Sequence, residues 1–396
     1  MKNSVFVIGG LGHIGLTLSS IIGQKCKVYV YDTDKTAQNF FKTYKQAVFE
    51  EPQVDDLLFD ANIELASSLK EMKKCKIIII TIGTPVDEYL NPDLKPMFFL
   101  FEQMIPFIRD EHLIILRSTV YPGMTKKLQK LVRRKSKFTQ IVFCPERVAG
   151  GVMIKEIQEL PQIVAANDDS SLERASEFFR DYVGVKEIIL LHDTTSGELA
   201  KLFTNAYRYI NFAIPNQMFM IAQDMNCDFY EIHKAITYNY PRMKSFPKPG
   251  WTAGYCLRKD TLQLASLNKS HTFSLGYDAS VVNEFMPLYI FRKIREKYGP
   301  LYDKTIGLLG MAFKGGTDDI RDSLAYRMRN ILLNECKRVL CTDAYALHEY
   351  FVDANFLVKK SDIIILMAPH EEYLKLNFKS KVVIDVFNFF GKGVGI

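Results

Sequence analysis

Short runs of hydrophobic residues recur along the first half of the chain, and several are continuous and β-branched rather than alternating with polar residues. Uninterrupted apolar runs of this length are typical of parallel strands buried on both faces of a sheet. The pattern predicts strands at residues 5–8, 28–31, 77–81, 113–116, 141–144, 163–165 and 187–191. Helical patterns fall between them. A doubly wound α/β domain is therefore predicted over residues 1–192.

The hydrophobic pattern changes after residue 192. A helical stretch of about thirty residues follows Asp193-Thr-Thr-Ser196. The segment 238–254 is rich in proline, glycine and aromatic residues, which predicts a loop, and helix resumes over roughly residues 260–298. These features predict a central helical domain over residues 193–300.

Strands and helices alternate again from Lys304 to the C-terminus, which predicts a third domain over residues 301–396. The sequence of residues 73–80 resembles that of residues 359–366 and hints at two copies of one fold. The expected fold class is α/β, with two Rossmann-like doubly wound domains joined by a long central helix and a helical middle domain.

Composition and charge narrow the functional classes. The 396 residues carry a net charge of +6, which suits an anionic small-molecule substrate better than nucleic acid. The densest basic run, residues 126–137, is interpreted as the solvated face of a helix. Seven scattered cysteines fit neither a zinc site nor a complete disulfide framework, so we expect no metal and a reducing, cytoplasmic compartment. No apolar stretch approaches the roughly 18 residues of a membrane span, and no signal-peptide pattern is present.

A candidate cofactor site directly follows the first predicted strand. The motif Gly10-Leu-Gly12-His-Ile-Gly15 opens a helix, and Asp32 ends the second strand twenty residues after Gly12. The glycines permit a tight turn and close approach to a pyrophosphate, which the helix N-terminus attracts. The Asp32 carboxylate can bind ribose hydroxyls and repels a 2′-phosphate, which favours NAD over NADP. His13 and Ile14 lie on the same turn, and His13 needs no catalytic role; the alternative is a strand–helix turn without a cofactor.

The central helix carries a polar stripe. Glu198, Lys201, Asn205 and Arg208 are spaced three, four and three residues apart, so they share one helical face. Such stripes are most often solvated surface. The position of this helix between two domains, where clefts form, argues for a binding role.

A cysteine follows downstream in the glycine-flanked sequence Gly254-Tyr-Cys256-Leu-Arg258-Lys259-Asp260. Neighbouring basic side chains such as Arg258 and Lys259 can stabilise its thiolate. From these local residues, a buried structural cysteine remains the alternative.

Taken together, the motifs resemble those of the UDP-glucose/GDP-mannose dehydrogenase family along essentially the whole chain, and their order and spacing are highly specific. The motifs are the turn at residues 10–15, Gly83-Thr-Pro85, Ser118-Thr-Val-Tyr-Pro-Gly123, Cys144-Pro-Glu-Arg147, Glu198-Leu-Ala-Lys201-Leu-Phe-Thr-Asn205, residues 254–260 and Gly310-Met-Ala-Phe-Lys314-Gly-Gly-Thr-Asp-Asp-Ile-Arg321-Asp-Ser323.

The resemblance implies that a primary alcohol at C6 of a nucleotide sugar is oxidised twice, with two NAD and one water. Lys201, Asn205 and Asp260 would bracket the reacting oxygen, and Lys201 and Asn205 would stabilise its developing charge. Cys256 would capture the aldehyde as a thiohemiacetal, because an aldehyde has no suitable hydroxyl from which to lose a second hydride. The resulting thioester would be hydrolysed by water, with Glu146 as the matching residue to activate it.

The same resemblance assigns the surroundings of the reacting carbon. Thr119 would lie near that carbon and its water, beside the cofactor. Thr84 and Pro85 would shape the nicotinamide-ribose pocket, and Gly254 would contact the substrate.

The third domain is expected to bind the UDP end of the substrate. Its first strand leads to Lys314 rather than to a second glycine cradle, and a lysine suits a pyrophosphate as a point charge. Arg321 is implied near the same region, with surface charge as its alternative. Arg242 matches an arginine that reaches into the partner subunit's site, which implies a homodimer built around the central helix. No nucleic-acid or membrane partner is expected.

The sugar is inferred from a few positions. Arg147 after Pro145-Glu146, and Arg208 within Tyr207-Arg-Tyr-Ile-Asn211, resemble the N-acetylhexosamine branch, such as UDP-N-acetylmannosamine dehydrogenases. The resemblance also implies a role in the synthesis of surface polysaccharide precursors.

Three alternatives remain at this stage: a UDP-glucose 6-dehydrogenase, a two-electron dehydrogenase of the hydroxyacid or phosphogluconate type, and a non-catalytic sensor of nucleotide sugars. The chain departs from the family pattern at Gln217, Thr252, Ala253 and Tyr255. The set of residues assigned to catalysis is nevertheless intact, which argues against a pseudoenzyme.

Overall fold

The computed structural model describes residues 4–87, 92–251, 254–267, 273–379 and 381–396. Two of the family departures, Thr252 and Ala253, lie outside the described residues. The chain forms two compact units, Met1–Phe203 and Thr204–Ile396. The three-domain division at residues 192 and 300 stays a prediction.

The first unit contains one eight-stranded sheet with the strand order β3-β2-β1-β4-β5-β6-β7-β8. The strands are β1 (Val5–Ile8), β2 (Val28–Tyr31), β3 (Ile63–Leu65), β4 (Ile77–Ile80), β5 (Leu113–Leu116), β6 (Gln140–Phe143), β7 (Gln162–Ala165) and β8 (Ile188–Leu191). The seven predicted strands are all present. The three-residue edge strand β3 was not predicted, because a half-exposed segment this short has little hydrophobic pattern.

Pairing across the first sheet is parallel from β3 to β6 but reverses at one place. β7 runs antiparallel to β6, and β8 runs parallel to β7. β7 and β8 therefore run opposite to the other six strands of this sheet. β7 and β8 are the last two strands on one side of the sheet and lie away from the glycine turn that follows β1. The reversal therefore leaves the carboxyl ends of β1, β4, β5 and β6 together at one edge.

The sheet of the first unit is covered on both faces. Val5 and Val7 lie in the core on one side, whereas Phe6 and Ile8 lie in the core on the other, and none is more than 2% exposed. This double burial explains why the strands are continuous apolar runs. The covering helices are α1 (His13–Ile22), α2 (Lys35–Tyr44), α3 (Val54–Asp60), α4 (Lys95–Met104), α5 (Met124–Arg133), α6 (Met153–Glu159) and α7 (Asp169–Phe178).

The predicted central helix is α8 (Thr194–Asp224), 31 residues long. Its start is capped by Asp193, whose carboxylate accepts hydrogen bonds from the backbone and hydroxyl of Ser196. The second unit continues with α9 (Phe229–Thr237), α10 (Tyr255–Ala265), α11 (Ser274–Tyr298), α12 (Leu324–Leu333) and α13 (Ala354–Lys360). Within the described residues, no helix has the length and apolar character needed to cross a membrane.

The second unit contains a four-stranded parallel sheet with the order β10-β9-β11-β12. Its strands are β9 (Thr305–Leu309), β10 (Arg338–Thr342), β11 (Ile363–Leu366) and β12 (Val382–Ile384). One hydrophobic core joins this sheet to the helices, and it includes Phe219 of α8, Ile290 of α11 and Ile306 of β9.

The repeated sequence occupies equivalent places in the two sheets. β4, from the first copy, pairs with β1, and β11, from the second copy, pairs with β9. In each sheet the first strand thus lies between the second strand and this repeated one. The order of these three strands is therefore the same in both sheets.

Candidate functional site

Three glycines of the turn after β1, Gly9, Gly10 and Gly15, leave little or no room for a side chain. Gly9 has a φ of +78°, and a Cβ at Gly15 would lie 2.1 Å from the Gly9 carbonyl oxygen. A Cβ at Gly10 would lie 2.8 Å from the Val30 Cβ. The turn therefore brings the backbone close to the start of α1, where Gly12 is the N-cap and His13 the first helical residue.

The N-terminus of α1 attracts an anionic pyrophosphate, as the sequence predicted. Ile14 is half-buried in its first turn. The His13 ring stacks on Phe49 with centroids 4.1 Å apart, so it is held by an aromatic contact.

Asp32 follows β2 directly and faces this turn. Its carboxylate accepts hydrogen bonds from the backbone N–H groups of Leu11 (3.0 Å) and Asp34 (3.1 Å). A carboxylate offers about four acceptor positions. The remaining ones suit the two hydroxyls of an adenosine ribose, so this turn fits NAD.

Thr84, Pro85 and Thr119 lie at the same edge of the sheet as the glycine turn. Thr84 and Pro85 come after β4, Thr119 comes after β5, and all three are half-buried. Adjacent parallel strands end at one edge, which is where ligands bind in doubly wound sheets.

Glu146, which follows β6, is held by a residue that the sequence analysis missed. Its Oε2 pairs with the guanidinium of Arg117, and its Oε1 accepts hydrogen bonds from the backbone of Arg147 (2.7 Å) and Val148 (3.2 Å). Arg117 is buried and also donates to Gln162 at 3.0 Å. An arginine directly after a continuous apolar strand was the available signal.

The side chain of Arg147 has a partner within the same unit. Its guanidinium donates to the carbonyl oxygen of Pro161. The guanidinium has five N–H donors, so others remain for a ligand.

Glu198 does not lie on a solvated face. It is fully buried and accepts hydrogen bonds from the backbone of Gly123 and from both the backbone (2.8 Å) and the hydroxyl (2.6 Å) of Thr125. Burial raises the pKa of Glu198, against the opposing effect of these hydrogen bonds. The carboxyl group thereby attaches α8 to the start of α5, beside the loop that holds Thr119.

The rest of the polar stripe divides between the two units. Lys201, in the first unit, is half-buried, and Arg208, in the second, is exposed. Asn205 is 3% exposed, and its Nδ2 donates to the Oδ2 of Asp260 at 2.6 Å. The side chains of Asp260 and Lys259 are buried, and their charged atoms lie 2.6 Å apart. The structure therefore brings Asn205 and Asp260 together and balances the carboxylate with Lys259.

Cys256 is the second residue of α10, so it lies in a helical turn rather than in the predicted glycine-flanked turn. Its residue is exposed, and a helix N-terminus favours a thiolate. Arg258 and Lys259, the cations predicted to stabilise the thiolate, also contact carboxylates: Arg258 lies 3.6 Å from Glu284, and Lys259 lies 2.6 Å from Asp260. Their support of the thiolate stays a prediction.

Arg321 supplies positive charge near the thiol. Its guanidinium lies 5.9 Å from the centre of the Tyr255 ring and interacts electrostatically with Cys256. A two-pronged hydrogen bond from Arg321 to Asp319 (2.9 and 2.7 Å) raises the pKa of the guanidinium.

Gly254 connects the cysteine helix with the loop at residues 310–316. It is the N-cap of α10, with a φ of +104°, and a Cβ there would lie 2.9 Å from the ring of Phe313. Lys314, the next residue of that loop, is half-buried. A cavity of about 550 Å³ adjoins this region, lined by Arg258, Glu284, Arg321, Tyr326, Arg327 and neighbouring residues of the 320–324 segment.

Arg242 lies in a short 3₁₀ turn, Pro241–Met243, and is exposed. Its guanidinium stacks on the ring of Tyr240 at 4.7 Å and donates to its hydroxyl at 2.7 Å. The structure thus places it on the surface of the second unit.

Comparison with protein families gives matches along nearly the whole chain. Residues 3–183 match the NAD binding domain of the UDP-glucose/GDP-mannose dehydrogenase family, residues 195–284 match its central domain, and residues 307–392 match its UDP binding domain.

Individual relatives are similar over most of their lengths. The UDP-N-acetyl-D-mannosamine dehydrogenase of Methanocaldococcus jannaschii is 29% identical, over 97% of this chain and 92% of the relative. The protein CapL of Staphylococcus aureus is 25% identical, over 95% and 92%. Among solved structures, a UDP-D-ManNAc dehydrogenase from Pyrococcus horikoshii superposes with a TM-score of 0.89 at 26% identity, covering 99% of each chain. The fold is also that of a UDP-glucose dehydrogenase from Pyrobaculum islandicum, with a TM-score of 0.88 at 22% identity, covering 98% of this chain and 94% of that one.

Proposed function

This chain belongs to the UDP-glucose/GDP-mannose dehydrogenase family of NAD-dependent nucleotide-sugar dehydrogenases, and we propose that it oxidises the C6 alcohol of a UDP-N-acetylhexosamine to a carboxylate in two steps. One observation carries the proposal. The exposed thiol of Cys256 lies in the first turn of α10, and one helical turn later Asp260 is held by Asn205 and Lys259. A nucleophile and an acid–base group are thereby carried on one helix.

The first oxidation requires removal of the hydroxyl proton. NAD, when bound, accepts a hydride from C6 in each of the two oxidations. Asp260 is the proposed proton acceptor, acting directly or through a water. Asn205 uses one of its two amide N–H donors on Asp260 and has the other for the developing oxyanion, together with Lys201.

The second oxidation requires a covalent intermediate. The thiolate of Cys256 attacks the aldehyde carbon, and the aldehyde oxygen takes up a proton to give a thiohemiacetal. Loss of that proton and of the second hydride yields a thioester. Water then releases the carboxylate and returns the thiol.

Glu146 is proposed to activate that water. Three of its roughly four acceptor positions are used by Arg117 and by two backbone N–H groups. The remaining position can take a proton from water, while Arg117 fixes the carboxylate in place. Thr119 is proposed to lie beside the same carbon.

The UDP end of the substrate is assigned to the second unit. Lys314 and Arg321 are proposed to bind the pyrophosphate and the adjoining sugar, with Gly254 beside them. The guanidinium groups that line the cavity provide a cationic setting for this anionic substrate. Arg147 and Arg208 are the proposed contacts of the N-acetylhexosamine, a substrate class that the names of the relatives from M. jannaschii and P. horikoshii support.

A homodimer is proposed from the surface of α8. Four residues of α8 are each at least 40% exposed, and their spacing of seven, four and three residues puts them on one face: Tyr207, Ile214, Met218 and Ile221. A contiguous exposed apolar face on a helix is typical of an interface. A second copy of the chain would cover it symmetrically, and Arg242 would reach the partner's site. A Met218→Glu variant should run at the monomer mass in light scattering, whereas a dimeric variant would contradict the assignment.

The proposed activity is tested by counting NADH per sugar. UDP-N-acetylmannosamine, UDP-N-acetylglucosamine, UDP-N-acetylgalactosamine, UDP-glucose and GDP-mannose are each supplied in limiting amount with excess NAD. We expect two NADH per molecule of one UDP-N-acetylhexosamine. Two NADH from UDP-glucose alone would correct the sugar, one NADH per sugar would indicate a two-electron dehydrogenase, and no turnover would indicate a sensor.

The cysteine mechanism is tested separately with a matched pair of variants. Cys256→Ser should abolish net turnover, because a serine hydroxyl lacks the nucleophilicity of a thiolate. Cys227→Ser changes another exposed cysteine of the same unit and should leave turnover unchanged. Full activity of Cys256→Ser would refute the covalent step. A cytoplasmic location and a role in polysaccharide synthesis stay predictions.

A further inference from the structure

An aspartate follows the second strand in both sheets. Asp32 comes directly after β2, and Asp343 comes directly after β10. Each accepts hydrogen bonds from the backbone of the turn that follows the first strand: Asp32 from Leu11, and Asp343 from Met311 (2.6 Å) and Ala312 (2.8 Å). The two carboxylates are therefore structurally equivalent.

Their remaining acceptor positions differ. Asp32 accepts one other hydrogen bond, from Asp34, and has lone pairs left for a ribose. Asp343 also accepts from the backbone of Tyr345 and Ala346, both at 2.9 Å.

A histidine completes the shell of Asp343. The Nε2 of His370 lies 3.2 Å from the Asp343 Oδ2, and neither side chain has any exposed surface. With five donors around it, the Asp343 carboxylate has no acceptor position left for a nucleotide ribose.

His370 also reaches the far end of the loop at residues 310–316. Its Nδ1 accepts a hydrogen bond from the backbone N–H of Gly316 at 3.2 Å. Nδ1 must therefore lack a proton, and Nε2–H donates to Asp343. The rings of Tyr345 and Tyr373, with centroids 5.1 and 5.3 Å away, hold the imidazole in this orientation.

Burial raises the pKa of Asp343, but hydrogen bonding and electrostatic attraction by His370, together with backbone hydrogen bonds, outweigh it and lower the pKa to about 2. The carboxylate is therefore ionised at neutral pH. Asp343 thus holds the beginning of the loop by hydrogen bonds to Met311 and Ala312, and His370 holds its end by a hydrogen bond to Gly316. Lys314 lies between these two attachment points.

We propose that Asp343 and His370 are positioning residues that hold the 310–316 loop in the shape that binds the diphosphate of UDP. Asp32 is the proposed ligand of a ribose in the first unit, whereas the equivalent carboxylate of Asp343 holds the loop that carries Lys314. We call this arrangement of Asp343 and His370 the clamp. This inference rests on the proposed function, because it takes the UDP end of the substrate as the ligand of Lys314.

The test compares His370→Phe with His348→Phe, measured by calorimetric titration with UDP and by steady-state kinetics. Phenylalanine keeps a ring between the two tyrosines but makes neither hydrogen bond, whereas His348 is an exposed histidine of the same unit. Because a buried hydrogen bond is lost, His370→Phe should bind UDP at least about tenfold more weakly than the wild type. The KM of the UDP-sugar should rise in parallel, while the KM of NAD and kcat stay within about twofold. His348→Phe should match the wild type.

Two further variants separate positioning from general destabilisation. His370→Asn places an amide oxygen near the position of Nδ1 and keeps the Gly316 contact, whereas His370→Gln places its amide near Nε2 and keeps only the Asp343 contact. We expect the His370→Asn variant to bind UDP more tightly than the His370→Gln variant, because only the former keeps the contact with Gly316. Equal UDP affinities of these two variants would overturn the clamp even if His370→Phe fails to fold.

The outcomes for the clamp and for the proposed activity are distinguishable. If wild type oxidises a UDP-sugar but His370→Phe binds UDP normally, the clamp is refuted and the activity stands. If UDP binding depends on His370 but no UDP-sugar is oxidised, the activity is refuted and the clamp stands. Wild type that does not bind UDP refutes both.

Discussion

Replacing Gly254 with alanine should impair both catalysis and folding. Gly254 is the N-cap of α10, two residues before Cys256, and its φ is +104°. The added Cβ would lie 2.9 Å from the Cδ2 and 3.0 Å from the Cε2 of Phe313. Both the backbone and the ring must therefore shift, and Phe313 lies beside Lys314 in the 310–316 loop.

The cost has two parts. A non-glycine residue at such a backbone angle costs about 1–3 kcal/mol. Overpacking against a ring costs about another 1–3 kcal/mol. If the backbone around residue 254 relaxes to reduce these costs, the start of α10 moves, and Cys256 moves with it. A displacement of about 1 Å at a reacting group lowers the rate about 100-fold.

The assay combines turnover with thermal unfolding. Gly254→Ala should lower kcat about 100-fold and the apparent Tm by several degrees. The matched control is Gly299→Ala, with a φ of +76° and open space around the added Cβ. It should cost about 1–3 kcal/mol of backbone strain and leave kcat unchanged.

A second variant isolates the contact with the ring. Adding Phe313→Leu to Gly254→Ala should recover about 1 kcal/mol or more of stability, since the clashing ring atoms are gone. The reasoning fails if Gly254→Ala has wild-type kcat and Tm, or if Gly299→Ala lowers kcat equally.

Three further predictions concern buried carboxyl groups. Arg117→Met should lower the free energy of unfolding by about 3–5 kcal/mol, because it leaves the Glu146 carboxylate without its partner. It should also slow hydrolysis of the thioester. Thermal melts measure the first effect and rapid-quench trapping of the acyl-enzyme measures the second, and Arg117→Lys should give intermediate values in both. The pKa of Glu198 is raised by burial, so its contribution to stability is lost as the pH rises above the ordinary value of 4.5. Glu198→Gln should lack that loss, and equal pH profiles of Tm in both proteins would contradict it. For Asp343, whose pKa falls from 3.8 to about 2, linkage contributes about 2–3 kcal/mol above the ordinary pKa. The stability difference between wild type and Asp343→Asn in urea titrations should shrink as the pH falls toward 2.

Local features of the sequence determined most of the framework. Continuous β-branched runs are typical of strands buried on both faces, and the seven predicted strands are present. The glycine turn was predictable because Gly10 and Gly15 have no space for a Cβ, a requirement that restricts the residue type directly. The likeness between residues 73–80 and 359–366 predicted equivalent strands for the same reason, since each copy lies beside the first strand of its sheet.

The contacts around the candidate site were decided only by tertiary structure. The pairing of Arg117 with Glu146 joins residues 29 positions apart, and that of Asp343 with His370 joins residues 27 apart. The reversal of β7 depends on its neighbour in the sheet. The interaction of Cys256 with Arg321 depends on how α10 packs on a loop more than fifty residues away. Residue type and spacing specify which local structure is favourable, whereas the partner of a buried charge is specified only when folding excludes water and leaves one group within reach.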